Sequence, residues 1–375
     1  MKPAQILVAE TRARSRRGGS VLLVALIVLA ASRIQGADRA FTPRLETPAP
    51  VRAALVDSQA TAATRALMAA LVADYGKRTW SGQYHDSNDM ARIRDAGHLK
   101  PAILGGDFMD YSPSRVARGD APTGYTEAMI AFGQAGYVIT MSWHWNAPTN
   151  LVDSQEQPWW RGFYSIATTF DVAAALADTN STEYALILRD IDAIAEQLEK
   201  FSDAGVPILW RPLHEADGTW FWWGAKGPGP FKALWRLLYH RLTDEHHLHN
   251  LIWVYSGDKP DWYPGNDMVD IVGTDAYPKD PGDPLLSQWR TLNSRFNGVK
   301  LVALTEFGGV PDVERMQASG VWWSYFASWT ASTKAVPGAT IARIYGSPAV
   351  VTMDQLRNRP NVGSTNPPTA APRSK

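Results

Sequence analysis

Eight short apolar runs set the main constraint on how this chain can fold. They fall at residues 80–84, 102–106, 137–143, 207–212, 251–255, 271–274, 301–305 and 322–328. Each is a compact block rather than a strict apolar–polar alternation, the pattern of a strand buried on both faces. Helical stretches lie between them. The clearest covers residues 182–204, where Leu186, Ile187, Ile191, Ile194, Leu198 and Phe201 recur at three- and four-residue steps, and Gly205 and Pro207 stop it. A second covers 231–245, with Leu234, Leu237, Leu238 and Leu242 on one face. Buried strands alternating with helices over roughly 300 residues predict an α/β fold, a single (β/α)8 TIM barrel. A doubly wound sheet is the alternative, but no glycine-rich phosphate turn follows the first run.

The two ends of the 375-residue chain read differently. Arg12, Arg14, Arg16 and Arg17 precede an apolar run at 21–31. That is the order of a signal peptide, assigned here to residues 1–37, with cleavage after Ser32 or Ala37. The run falls short of the about 20 apolar residues a membrane span needs, so no stable membrane association is expected. Residues 38–60 are rich in Pro and Ala and read as a linker, 61–357 as the barrel, and 358–375 as a disordered tail too poor in apolar residues to bury. A secreted or periplasmic location and a monomer are expected. Cysteine is absent, which removes disulfides, thiolate nucleophiles and Cys-based metal sites. Lys+Arg and Asp+Glu are both 37, so nothing favours nucleic acid as a partner.

In a barrel of this kind, chemistry sits at the C-terminal ends of the strands, where the variable loops gather. The fourth run ends in His214-Glu215 and the seventh in Glu306-Phe307-Gly308. A carboxylate at the mouth of a buried strand is partly desolvated, and two such residues suggest a working pair. Glycosidic cleavage uses two carboxyl groups in different protonation states. One protonates the leaving oxygen and the other attacks the anomeric carbon, so their environments must push their pKa values apart. His214 and Arg211 are plausible sources of that asymmetry. The 16 Trp add aromatic faces, some of which can stack on sugar rings.

The block Arg211-Pro212-Leu213-His214-Glu215, followed by Gly218, Trp220 and Trp222-Trp223-Gly224, resembles the acid/base signature of glycoside hydrolase family 26. Thr305-Glu306-Phe307-Gly308 resembles its nucleophile segment. The segments 142–145, 273–277 and 325–329 also look like family segments, in family order, so the resemblance covers about residues 75–357. It implies a retaining hydrolase on a (β/α)8 barrel, most often a β-1,4-mannanase, with a polysaccharide substrate and no cofactor or metal. It implies that Glu215 is the acid/base and Glu306 the nucleophile. His144, Arg211 and His214 would orient the carboxylates and the sugar, Trp220 and Trp329 would wall the sugar, and Tyr277 would support Glu306 with Asp275 nearby. The alternatives are a mixed-linkage β-glucanase or β-1,3-xylanase of the same family, or a carbohydrate-binding barrel without activity. Ala216-Asp217 departs from the Met-Asn that the family more often shows there, which leaves the outer wall of the site open.

Some signals stay ambiguous. His246, His247 and His249 look like a metal cluster, but they follow a helix end, where His is ordinary, and no Cys or well-spaced carboxylate completes a site. Asp107 and Tyr111 could face a substrate, although Gly105-Gly106-Asp107 reads equally as a turn. Trp159-Trp160 and Trp222-Trp223 are either cleft platforms or staples between loop and barrel.

Overall fold

The computed structural model describes residues 47–357. Eight parallel strands close into a barrel: β1 (Gly82–Tyr84), β2 (Ile103–Asp107), β3 (Val138–Ser142), β4 (Ile208–Arg211), β5 (Leu251–Ser256), β6 (Ile271–Ala276), β7 (Leu301–Phe307) and β8 (Phe326–Ser328). Each pairs with its sequence neighbours, and β1 closes the ring on β8 through Gln83 and Ser328. Every residue of β5 and β7 is buried. That burial explains why these strands read as blocks: they pack inward on the barrel core and outward on helices.

The sequence expectations differ from the structure at three elements. The first run breaks at Ser81, so Thr79–Trp80 leaves the barrel and pairs with Val350–Val351. Ser81 supports the break, since its Oγ donates to the Val351 carbonyl at 2.8 Å and accepts from the Ala102 amide at 3.2 Å. The eighth run enters the barrel only at Phe326. The second helix runs Pro228–His240 and then loosens into one π turn, Arg241–Glu245. The helix Thr182–Asp203 lies where the periodicity places it, capped by the Ser181 hydroxyl on the Tyr184 amide.

Residues 47–60 carry no helix or strand, yet they lie against the barrel. Val51, Asp57 and Ala60 are buried, the Val56 amide donates to Asp270 at 2.7 Å, and Asp57 bonds His249 at 2.8 Å. Residues 1–46 and 358–375, which include the signal peptide and the tail, lie outside the described residues. Among the described residues no helix is long and apolar enough to cross a membrane.

Several aromatic residues that the sequence leaves open are core. Trp143 and Trp145 stack at 4.1 Å between ring centres, and Trp145 donates to Asp190 on the helix Thr182–Asp203. Trp222 and Trp223 are buried staples: one donates to the Trp145 carbonyl at 2.6 Å, the other to the His214 carbonyl at 2.9 Å. Trp160, by contrast, is exposed.

Candidate active site

Both glutamates reach the C-terminal mouth of the barrel, but by different local devices. Glu306 lies inside β7, one residue after a register shift against β6, where Thr274 faces Leu304 and Asp275 faces Glu306. The slip leaves Thr305 without a partner opposite and re-aims the next side chain, as a bulge does. Glu215 sits in the turn after β4 and has a left-handed backbone, φ 53°. Leu213 and Thr219 share that conformation, at φ 50° and 64°. None is glycine, so each costs of order 1–3 kcal/mol and must be held by its surroundings.

Arg211, the last residue of β4, organises the floor of the site. Its side chain is wholly buried and bonds Glu306 Oε2 at 2.6 Å, Asp275 Oδ2 at 2.7 Å and the Tyr84 hydroxyl at 3.0 Å. The Tyr277 hydroxyl donates to the other oxygen of Glu306, Oε1. Asp275 also accepts from Thr305 Oγ1 at 2.7 Å. A guanidinium on one oxygen and a phenol on the other fix the Glu306 carboxylate in one orientation and complement its charge.

Glu215 has a contrasting environment. Burial raises its pKa above the usual carboxylate value, and the negative charge of Glu306 raises it further. Arg211, the Trp220 hydrogen bond and His144 pull the other way without cancelling that rise. The Trp220 indole donates to Glu215 Oε2 at 2.9 Å. One carboxyl is therefore held ready to keep its proton while the other is held by donors, the division that acid and nucleophile roles need.

A second polar chain borders the pair. Asp107, at the end of β2, accepts from the His144 amide at 3.0 Å and from Ser142 Oγ at 2.9 Å, and meets His144 Nδ1 at 2.5 Å. Burial works against a charged His144, but the adjacent Asp107 carboxylate, and then Glu306, raise its pKa above the ordinary value. His144 Nε2 lies 3.3 Å from His214 Nε2. His214 is driven far below its ordinary value by burial, then by Arg211 and His144, so it stays neutral.

The resulting cleft has a volume of about 530 Å³. Of the candidates named from sequence, Glu215, Glu306, His144, Trp220, Tyr277 and Trp329 line it. Arg211, His214 and Asp275, expected to orient the carboxylates and the sugar or to lie near Glu306, are not among the lining residues: their side chains are buried, Arg211 bonds Glu306 and Asp275, and His214 meets His144. The physical reason for Arg211 and Asp275 is pairing, since their charged ends are taken up by Glu306, Tyr84 and each other. Asp107, left open between a substrate-facing residue and a turn, lines the cleft, as do Tyr84, Phe163, Tyr164 and Phe221, which were not assigned from sequence. Tyr84 and Asp107 end strands, so strand-end position was a usable signal for them. The others come from loops and had none. Tyr111 turns to Thr126 instead, whose Oγ1 donates to its hydroxyl at 3.0 Å.

The suspected histidine cluster does not converge. His246 bonds Asp192 at 2.8 Å, while His249 bonds Asp57 at 2.8 Å on the segment before the first helix. Among the described residues no group of three His, Cys, Asp or Glu side chains is placed to hold a metal.

Two carboxyl groups thus line one aromatic cleft at the mouth of a closed eight-stranded barrel. The family model of glycosyl hydrolase family 26 matches residues 56–355. The chain belongs to this family. A mannan endo-1,4-β-mannosidase of Thermothelomyces thermophilus is 44% identical over 311 residues, 82% of this chain and 64% of the relative. Mannan endo-1,4-β-mannosidase B of a Piromyces species is 34% identical over 286 residues, 73% of this chain and 48% of the relative. The family 26 chain thus spans about half to two thirds of the length of these curated relatives. The crystal structure of the Podospora anserina GH26-CBM35 β-(1,4)-mannanase superposes with a TM-score of 0.80 at 42% identity, over 84% of this chain and 71% of that one.

One consequence of the Trp220 bond is measurable. Trp220→Phe keeps an aromatic ring but removes the N–H that stabilises ionised Glu215. The Glu215 pKa should then rise. An acid catalyst is lost as pH climbs through its pKa, so the alkaline limb of kcat/KM should move to higher pH. A pH–rate profile that shifts downward would contradict the assigned bond.

Proposed function

We propose that this chain is a retaining endo-β-1,4-mannanase. The observation that carries the reading is the asymmetry of the pair: Glu306 is held by Arg211 and Tyr277, while Glu215 is desolvated and faces the charge of Glu306. In the first step Glu306 attacks the anomeric carbon as the bond to the leaving oxygen breaks, and Glu215 delivers its proton to that oxygen. In the second, Glu215 takes a proton from water, which attacks the same carbon and releases Glu306. Two displacements on one carbon return the original configuration. No cofactor enters either step. Mannan is favoured as substrate because the relatives above are mannanases, and the aromatic walls Trp220 and Trp329 suit the apolar faces of a sugar chain.

Glu215→Gln tests the acid/base role. It should lower kcat/KM on mannan by about 10²- to 10⁴-fold, the usual worth of one positioned acid–base group. Near-normal turnover would sink the assignment, and proton NMR of the first-formed anomer should show the β configuration. We further propose that the chain is exported through residues 1–37, on the basic-then-apolar order of its N-terminus, and acts as a monomer outside the cytoplasm, where the polymer is. Mass spectrometry of the protein recovered from a producing culture should find a new N-terminus within about 10 residues of Ser32 if a signal peptidase acts there. An intact residue 1 would refute cleavage.

A further inference from the structure

Glu215 holds its position in a turn that is costly at three places, Leu213, Glu215 and Thr219. Such a turn needs restraint from outside itself. Within the turn the Gly218 amide donates to the Glu215 carbonyl at 3.0 Å and the Thr219 amide to the Ala216 carbonyl at 3.1 Å, while the Glu215 amide reaches out to the Ser256 carbonyl of β5 at a long 3.3 Å. Asp217, two residues after Glu215, is bonded far more firmly. Its Oδ2 accepts the Asp258 amide at 2.8 Å and the Lys259 amide at 2.9 Å. The Lys259 ammonium returns the contact, donating to the Asp217 carbonyl at 2.6 Å. These three bonds tie the Glu215 turn to the chain leaving β5, about 40 residues away in sequence.

We propose that Asp217 is a positioning residue for the acid/base, fastening the turn after β4 to the end of β5 so that the Glu215 carboxyl faces the scissile oxygen. The inference rests on the assignment of Glu215 given above. Asp217 itself is not among the residues that line the cleft, so its role passes through Glu215. Three features support a clamp rather than a surface ornament. The chain on the other side of the turn is also pinned, because Gly224 packs so closely on the Ala216 carbonyl that a Cβ there would lie 2.0 Å from the oxygen. The His214 carbonyl is held by the Trp223 indole at 2.9 Å. Asp217 thus strengthens the link to the end of β5 that the Glu215 amide makes only at 3.3 Å. Both amide bonds, finally, go to a single oxygen, so a neutral amide side chain could replace the carboxylate and keep them.

The test compares two substrates on one protein preparation. An unactivated manno-oligosaccharide needs its leaving oxygen protonated; a 2,4-dinitrophenyl β-manno-oligosaccharide does not, because dinitrophenolate leaves unaided. Their ratio of kcat/KM is independent of how much of a variant is folded. Asp217→Ala should lower kcat/KM on the manno-oligosaccharide by about 10- to 100-fold, within what one acid–base group supplies, and leave the dinitrophenyl substrate within about threefold. Asp217→Asn should recover most of the loss. Equal losses on both substrates in Asp217→Ala, or no loss on either, would overturn the positioning role. Glu215→Gln, run in parallel, separates the two ideas. If it loses the manno-oligosaccharide selectively while Asp217→Ala does not, the clamp alone is wrong. If Glu215→Gln itself keeps full activity on both, the acid/base assignment and the clamp fall together.

Discussion

Glu306→Ala should abolish turnover on mannan, with a loss beyond the about 10²- to 10⁴-fold that a single acid–base group accounts for. The larger effect comes from the step removed. Without the carboxylate no glycosyl-enzyme forms, and water must displace the leaving group directly from a site shaped for a different attacker. The small cavity left by the substitution gives a sharper check. Azide added to Glu306→Ala should enter from the nucleophile side and yield the α-glycosyl azide, by one displacement. Azide added to a Glu215 variant should instead intercept the glycosyl-enzyme and yield the β-glycosyl azide, by two. Anomeric configuration by NMR then assigns each carboxyl its role independently of rate. The same anomer from both variants would mean that the roles, or the pair, are wrong.

Arg211→Met should cost stability as well as activity. Arg211 is buried and stands between Glu306 and Asp275, at 2.6 and 2.7 Å. Removing it leaves two buried carboxyl groups without their cation, and breaking a buried ion pair on one side costs about 3–5 kcal/mol. For a chain of this size each kcal/mol corresponds to about 1–2 °C in Tm, so thermal unfolding should begin roughly 5 °C lower. Adding Asp275→Asn should return part of the stability, because it removes one of the two buried carboxyl groups left without Arg211. A Tm within about 2 °C of the parent protein would show that the pair is less buried in solution than its 0% and 7% side-chain exposures imply.

The assignments differ in how directly the chain displayed them. Periodicity alone placed the helix Thr182–Asp203 and the cores of the strands, because burial on both faces leaves an unbroken apolar block. Glu215 and Glu306 were visible as charges that end such blocks. The first run, at 80–84, shows the limit: nothing in Trp80-Ser81-Gly82 says that two residues leave the barrel, since the cause is a hydroxyl bonding to Val351, some 270 residues on. Asp107 is a similar case. Read locally, Gly105-Gly106-Asp107 is a turn, and its contact with His144 exists only because β2 and β3 are neighbours.

Local pattern therefore anticipated the barrel and singled out Glu215 and Glu306 as candidate carboxyl residues, because both readings depend on hydrophobic spacing and on the polar residues that close each apolar run. Whether a polar residue faces the cleft or supports it from behind was decided in three dimensions. Arg211, His214 and Asp275 carry the same chemical groups as substrate-binding residues do, and only the packing around them turns those groups inward. The difference between the two glutamates is also a tertiary property. It arises from a guanidinium and a phenol beside Glu306, and from burial and a like charge beside Glu215, brought together from β4, β6 and β7.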